Sequence, residues 1–214
     1  MRILELFSGT GSIGETFQHK EWEVVSLDVN KKGNATICCD IMLWDYKVYE
    51  PGYFNAIWAS PVCTHYSIAR TNAKTPRNFE WADGLVLKTL EIIEYFKPAV
   101  WYIENPQSGL LKTRSFMSDL AYTDVDYRRY SYWGYRKRTR IWTNTDLQGK
   151  LCLGKGKCPN MEGRRHLKTA QRGARIIEGK LDNQSHSLKN NYTKFHLNFV
   201  RTFLILAELV KLFF

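Results

Sequence analysis

The chain has 214 residues, 44% hydrophobic and 24% charged, enough for one good core and a small appended lobe. With no low-complexity run and no internal repeat, that composition excludes disordered, collagen-like and solenoid classes. The net charge of +10 is unevenly placed: residues 128–190 hold sixteen Lys+Arg against four Asp+Glu, a local +12, and the remainder fifteen against seventeen, a net −2. A near-neutral body with one basic lobe is the footprint of a phosphate-backbone binder, although a solvated basic face gives the same count.

In chain order, the first residues begin a strand at once and leave no room for a signal peptide, and Ile3 to Leu6 reads as buried strand. A Gly-rich loop comes next, then a helix from Ser12 to His19. Glu23 to Leu27 reads as a strand that ends in Asp28. Ala56 to Trp58 and Val100 to Ile103 read as buried strands. Between them a helix is expected from Glu80 to Lys97, with Trp81, Leu85, Leu90, Ile93 and Phe96 at helical spacing and Pro98 at its end. Tyr127 to Tyr132 and Thr139 to Thr143 read as a late strand pair, and periodicity fades from Thr145 to Lys189. The run from Phe199 to Phe214 is apolar but is broken by Arg201, Glu208 and Lys211, so a terminal helix packed on the domain is expected rather than a membrane span. Strands alternating with helices predict an α/β fold with a doubly wound, mostly parallel sheet. Five cysteines and no export signal point to a reduced, intracellular compartment.

Three positions carry chemistry. Gly9, Gly11 and Gly14 have G-x-G-x-x-G spacing between a strand and a helix, which lets backbone approach a ligand closely. Asp28, at the end of the second strand, can accept hydrogen bonds from ribose hydroxyls. By itself this pocket suits NAD and S-adenosylmethionine equally. Cys63 lies just beyond the strand at Ile57-Trp58, and Glu104-Asn105-Pro106 ends the next sheet strand. A thiolate beside a carboxyl group suits nucleophilic addition to an electron-poor ring.

These motifs together resemble the DNA cytosine-5 methyltransferases, particularly the short forms of phages and large DNA viruses. Leu4 to Gly14 looks like that family's cofactor loop, and Pro61-Val62-Cys63 resembles its Pro-Pro-Cys nucleophile loop. Glu104-Asn105-Pro106 is similar to its Glu-Asn-Val or Glu-Asn-Pro strand end, and Arg136-Lys137-Arg138-Thr139-Arg140 to its Gln-x-Arg-x-Arg segment. The four motifs span about two-thirds of the chain in family order. The resemblance implies a Rossmann-like methyltransferase sheet and S-adenosyl-L-methionine held by Phe7, Gly9, Gly11, Ser12, Asp28, Asp40 and Pro61. It implies Cys63 as nucleophile toward C6 of a flipped cytosine, Glu104 as the acid at N3, and Arg138 and Arg140 as supports of the flipped nucleotide. Double-stranded DNA becomes the expected partner, contacted by Arg136, Lys155, Lys157, Arg164, Arg165, Lys168, Arg172 and Arg175, and the protein is expected to be a monomer without membrane contact, cytoplasmic or nucleoid-associated.

On this reading residues 1–144 form the catalytic, cofactor-binding domain, 145–189 a small basic target-recognition region, and 190–214 a C-terminal helix returning to the domain. Val62 replaces the usual proline, Arg136 replaces the usual glutamine, and the family's closing Ile/Val-Pro-Pro-x-Leu stretch is missing. Because Lys194 to Val200 can encode Ile-Pro-Pro-Glu-Leu-Cys in another codon frame, a frameshift near Asn190 is expected. Two other functions stay open: methylation of cytosine in tRNA or other RNA, and an inactive module that binds cofactor and nucleic acid. No metal ligand is assigned. Cys152, Cys158 and His166, with His186 as a distant fourth, match no common zinc spacing and are read as ordinary packing.

Overall fold

Short apolar runs buried on both faces make the centre of a parallel sheet that helices cover from both sides. The structure is a computed structural model that describes residues 1–70, 73–130, 135–154, 157–159, 161–162, 165–166, 168–169 and 173–174. Its strands begin with β1 (Arg2–Leu6), β2 (Glu23–Asp28), β3 (Ile37–Cys38), β4 (Ala56–Ala59) and β5 (Val100–Pro106), followed by β6 (Tyr122–Asp126), β7 (Tyr135–Arg136) and β8 (Arg138–Thr143). Seven of them form one sheet in the order β3-β2-β1-β4-β5-β8-β6. All neighbours are parallel except β8, which runs antiparallel to both β5 and β6.

Helix α1 (Ser12–Gln18) packs Ile13 and Phe17 on one face, against Ile3, Trp58, Tyr102 and Ile141. Helix α2 (Phe79–Phe96) packs Leu85, Val86, Ile92 and Phe96 on the other, against Leu4, Leu6, Ile57, Ile103 and Trp142. The Asn78 side chain caps α2 by accepting from the Trp81 N–H at 2.9 Å, which satisfies one of the donors left over in its first turn. Lys97 ends the helix in the left-handed region ahead of Pro98. Sequence order reverses between β1 and β4, so the crevice at the carboxyl ends of these strands lies where open α/β sheets bind ligands.

The structure corrects several expectations. The late strand pair is β6 with β8, and residues 127–129 form a single 3₁₀ turn instead of a strand. Asp124 and Asp126 discourage a strand by propensity, but each pairs across the ladder with an arginine of β8, and Val125 turns into the core between them. Trp81 is not on the buried stripe of α2: it is 44% exposed and meets the His65 ring edge-on. The basic lobe is not cleanly separate either. Residues 149–152 lie along β6, and a short strand at Lys168–Thr169 pairs in parallel with β7. The expected C-terminal helix and the frameshift region lie outside the described residues, and no helix among the described residues is long and apolar enough to cross a membrane.

Candidate active site

The loop after β1 turns sharply at three positive φ values: Phe7 at 58°, Gly9 at 54° and Gly11 at 73°. Glycine takes this conformation freely, whereas Phe7 takes it at a cost, the kind of strain that collects at ligand sites. Asp28 ties the loop to β2, accepting from the Gly9 N–H (2.8 Å) on one carboxylate oxygen and from the Asn30 N–H (2.7 Å) on the other. A side chain placed on Gly9 or Gly11 would meet nothing within 4 Å, so their backbone borders open space. Gly14 is the opposite case: a Cβ there would sit 2.7 Å from Glu5 Oε2, which accepts the Gly14 N–H at 3.0 Å. Burial pushes the Glu5 carboxyl up to about 8, against the pull of those backbone bonds.

Asp40 lies just past β3 at the same edge and accepts the Met42 N–H at 2.9 Å; Ser12 is buried at the start of α1. Ser8 Oγ is buried with no partner among the described residues. Phe7, Gly9, Gly11, Ser12, Asp28 and Asp40 all lie at or just past the sheet edge formed by the carboxyl ends of β1, β2 and β3. The donor set there of open loop backbone, an aromatic face and two carboxylates with lone pairs to spare fits an adenosyl group.

The Cys63 loop is fastened at several points. Asn105 Nδ2 donates to the Pro61 carbonyl oxygen at 2.9 Å, joining the end of β5 to the loop after β4. Tyr66, fully buried, donates to Asp83 on α2 at 2.8 Å, and Arg114 donates to the same carboxylate. Asn78 N–H donates to His65 Nδ1 at 2.9 Å. Cys63 is half-buried between these fixed points. Its thiol is raised first by burial and then by the charge of Glu104, while Lys137 pulls it back down.

Glu104 is 8% exposed, and its contacts among the described residues gather on Oε1. Tyr127 hydroxyl donates to that oxygen at 3.1 Å, Lys137 Nζ stands 3.4 Å away, and the Thr139 hydroxyl bonds both it and the Asn105 carbonyl oxygen. Oε2 accepts no hydrogen bond from the described residues. Lys137, Tyr127 and Thr139 therefore surround the Glu104 carboxyl, contacts to which motif reading assigned no role. The signal for two of them was present, because strand period puts 137 and 139 on one face and 138 and 140 on the other.

That same alternation turns Arg138 and Arg140 away from Glu104. Arg138 Nη2 donates to Asp126 Oδ2 at 2.7 Å, and Asp126 is fully buried; Arg140 Nε donates to Asp124 Oδ1 at 2.8 Å and its guanidinium stacks 3.5 Å over the Tyr122 ring. Both guanidiniums are held firmly charged by their carboxylates. Pro61 is buried and serves the loop through its carbonyl. Of the nucleic-acid candidates, Lys157 is exposed, Arg136, Arg165 and Lys168 are placed only by their backbone, and Lys155, Arg164, Arg172 and Arg175 lie outside the described residues.

No family model matches the chain. It is 38% identical over 201 residues to the "Probable DNA (cytosine-5)-methyltransferase" of Frog virus 3 (isolate Goorha), a match that covers 84% of this chain and 90% of that one. A crystal structure of a candidate DNA modification methyltransferase encoded within an E. coli prophage superposes with a TM-score of 0.51 at 12% identity, over 67% of this chain and 46% of the other. S. pombe Dnmt2 methyltransferase gives a TM-score of 0.48 at 17% identity, over 72% of this chain and 52% of that one. The chain thus spans about half the length of these solved structures.

Proposed function

This chain belongs to the DNA (cytosine-5)-methyltransferase family, and we propose that it methylates C5 of a cytosine flipped out of duplex DNA, with Cys63 as its nucleophile. The observation that carries the reading is that Cys63 and Glu104 stand at the same edge of neighbouring strands, with the Glu104 charge, after burial, among the causes that raise the thiol. Extrusion of the base is needed because C5 and C6 cannot be attacked inside the stack.

Cys63 sulfur forms a bond to C6, and the C5–C6 π electrons move toward C5. Glu104, in its protonated form, delivers that proton through Oε2 to N3 and becomes a carboxylate, so the ring accepts the electron density. Lys137 stabilises the Cys63 thiolate against its burial, and Tyr127 and Thr139 hold Glu104 in place through Oε1. S-adenosylmethionine, when bound, supplies the electrophilic methyl group that C5 receives. Phe7, Gly9, Gly11, Ser12, Asp28 and Asp40 would hold it across the crevice from Cys63. Solvent water takes the C5 proton, the double bond is restored as Cys63 leaves, and the N3 proton returns to Glu104. The basic 128–190 segment supplies the phosphate contacts that keep the duplex in register.

DNA carrying 5-fluorocytosine tests this directly. Fluorine at C5 cannot leave as a cation, so the enzyme should stay bound covalently through Cys63, in a complex that needs S-adenosylmethionine and survives denaturation. Cys63→Ser should abolish the complex. A peptide map placing the adduct on Cys38, Cys39, Cys152 or Cys158 would overturn the assignment, and trapping on RNA but not DNA would move the substrate class.

A further inference from the structure

Among the described residues after β8, little is buried. Leu151 and Leu153 are 43% and 55% exposed, and the described strands there are two residues each: β9 (Met161–Glu162), β10 (Arg165–His166), β11 (Lys168–Thr169) and β12 (Gly173–Ala174). A small unit whose described residues bury so little gains stability from a staple. Three side chains converge there. The Sγ atoms of Cys152 and Cys158 and a ring nitrogen of His166 all lie within 4.8 Å of one another, and Cys152 Sγ is 3.6 Å from His166 Nε2.

We propose that Cys152, Cys158 and His166 form a zinc site that clasps the basic lobe to the catalytic sheet. With Zn–S of about 2.3 Å and Zn–N of about 2.05 Å, a tetrahedral site has S···N edges of about 3.6 Å and S···S edges of about 3.8 Å. The Cys152–His166 edge matches, and the remaining edges need at most about 1 Å of contraction. The spacing-based expectation of ordinary packing weighed only separation along the chain. In the fold, the hairpin of β9 and β10 brings His166 back over the Cys152–Cys158 turn. Neither cysteine belongs to the hydrophobic core clusters, so apolar packing does not account for them.

The backbone is arranged as a thiolate needs. Gly154 N–H donates to Cys152 Sγ at 3.1 Å from a left-handed glycine turn, and Cys158 N–H donates back to the Gly154 carbonyl at 3.1 Å. Two thiolates neutralise a divalent cation, so the metal adds no charge to a lobe already strongly positive. The soft donor set selects zinc over magnesium or calcium, and three ligands among the described residues leave a fourth position open to a water molecule or a further side chain. The clasp also reaches the sheet. Cys152 N–H donates to Asp126 Oδ2 at 2.7 Å, the same oxygen that binds Arg138, so the metal loop and the arginine ladder share one buried carboxylate.

The full chain, isolated under reducing conditions, should retain about one zinc per chain through gel filtration. Cys152→Ser, Cys158→Ser and His166→Gln should each release it to a colorimetric chelator, whereas Cys38→Ser should not. Cobalt exchanged into the parent protein should show thiolate-to-metal absorption and intense tetrahedral d–d bands, a readout that does not depend on the variants folding. Stripping the metal should make the chain more sensitive to protease cleavage within residues 150–170. Three results overturn the site: a parent that holds no zinc and gives no cobalt–thiolate band, zinc retained equally in all three ligand variants, or a Cys152–Cys158 disulfide in the isolated protein.

Discussion

Lys137 Nζ stands 3.4 Å from Glu104 Oε1 and 3.2 Å from the Tyr127 hydroxyl, so one ammonium serves the carboxyl group and lowers the neighbouring Cys63 thiol at the same time. Burial and the Glu104 charge work against it. Alkylation of Cys63 should therefore rise with pH through the alkaline range. Lys137→Met should move that profile to higher pH, and Glu104→Gln to lower pH. Glu104→Gln should nevertheless slow trapping on fluorinated DNA by on the order of 10²-fold, because the N3 proton donor is gone. Rate against pH for both variants checks the pair.

Glu5 predicts a pH dependence of stability. Its carboxyl is raised from 4.5 to about 8 by burial, so between those values the folded chain keeps a proton that the unfolded chain has lost. That stabilisation is complete below 4.5 and disappears as pH rises through about 8. Stability should fall by up to about 1.4 kcal/mol per pH unit across the window. Glu5→Gln should flatten the dependence, as urea melts at several pH values would show.

Asp126 holds Arg138 and the Cys152 N–H at once from a fully buried position. Asp126→Ala should cost about 3 kcal/mol, because a partly buried guanidinium loses its counter-ion. Adding Arg138→Met should recover part of the loss, since the uncompensated charge goes with it. The exposed Arg2–Glu23 pair should contribute less than about 1 kcal/mol in the same double-mutant cycle.

Asn105 sets the height of the Cys63 loop through Pro61. Asn105→Asp removes the donor and places an acceptor against the carbonyl, which should cost about 1–3 kcal/mol. Covalent trapping should fall while affinity for S-adenosylhomocysteine, measured by calorimetry, stays near that of the parent.

Binding to duplex DNA should weaken steeply with salt. Neutralising Lys155, Lys157, Arg164 and Arg165 together should reduce the log–log slope by up to about four units if each meets a phosphate. An unchanged slope would place the duplex on another face.

Much of the site was legible along the chain. In a parallel sheet every strand ends at the same edge, so Phe7, Asp28, Cys63 and Glu104, each at or just past a strand, had to meet there once the strands were recognised. The Gly-rich loop was legible for a similar reason, because a strand that turns directly into a helix needs backbone that only glycine adopts cheaply. Face and register were not. Arg138 and Arg140 stand beside Lys137 and Thr139 in sequence, but the pairing of Ile141 with Glu104 sends the first two to Asp126 and Asp124 and the second two to Glu104. A one-residue slip would exchange them. The aspartates of β6 show the same limit: alone they argue against a strand, and only their partners across the ladder make one. Cys152 and His166 meet because a short hairpin folds back over a glycine turn, a closure set by backbone pairing between residues distant in the chain. The residues that gather at strand ends are given by chain order alone, whereas those that face each other across a ladder depend on a register that only the assembled sheet decides.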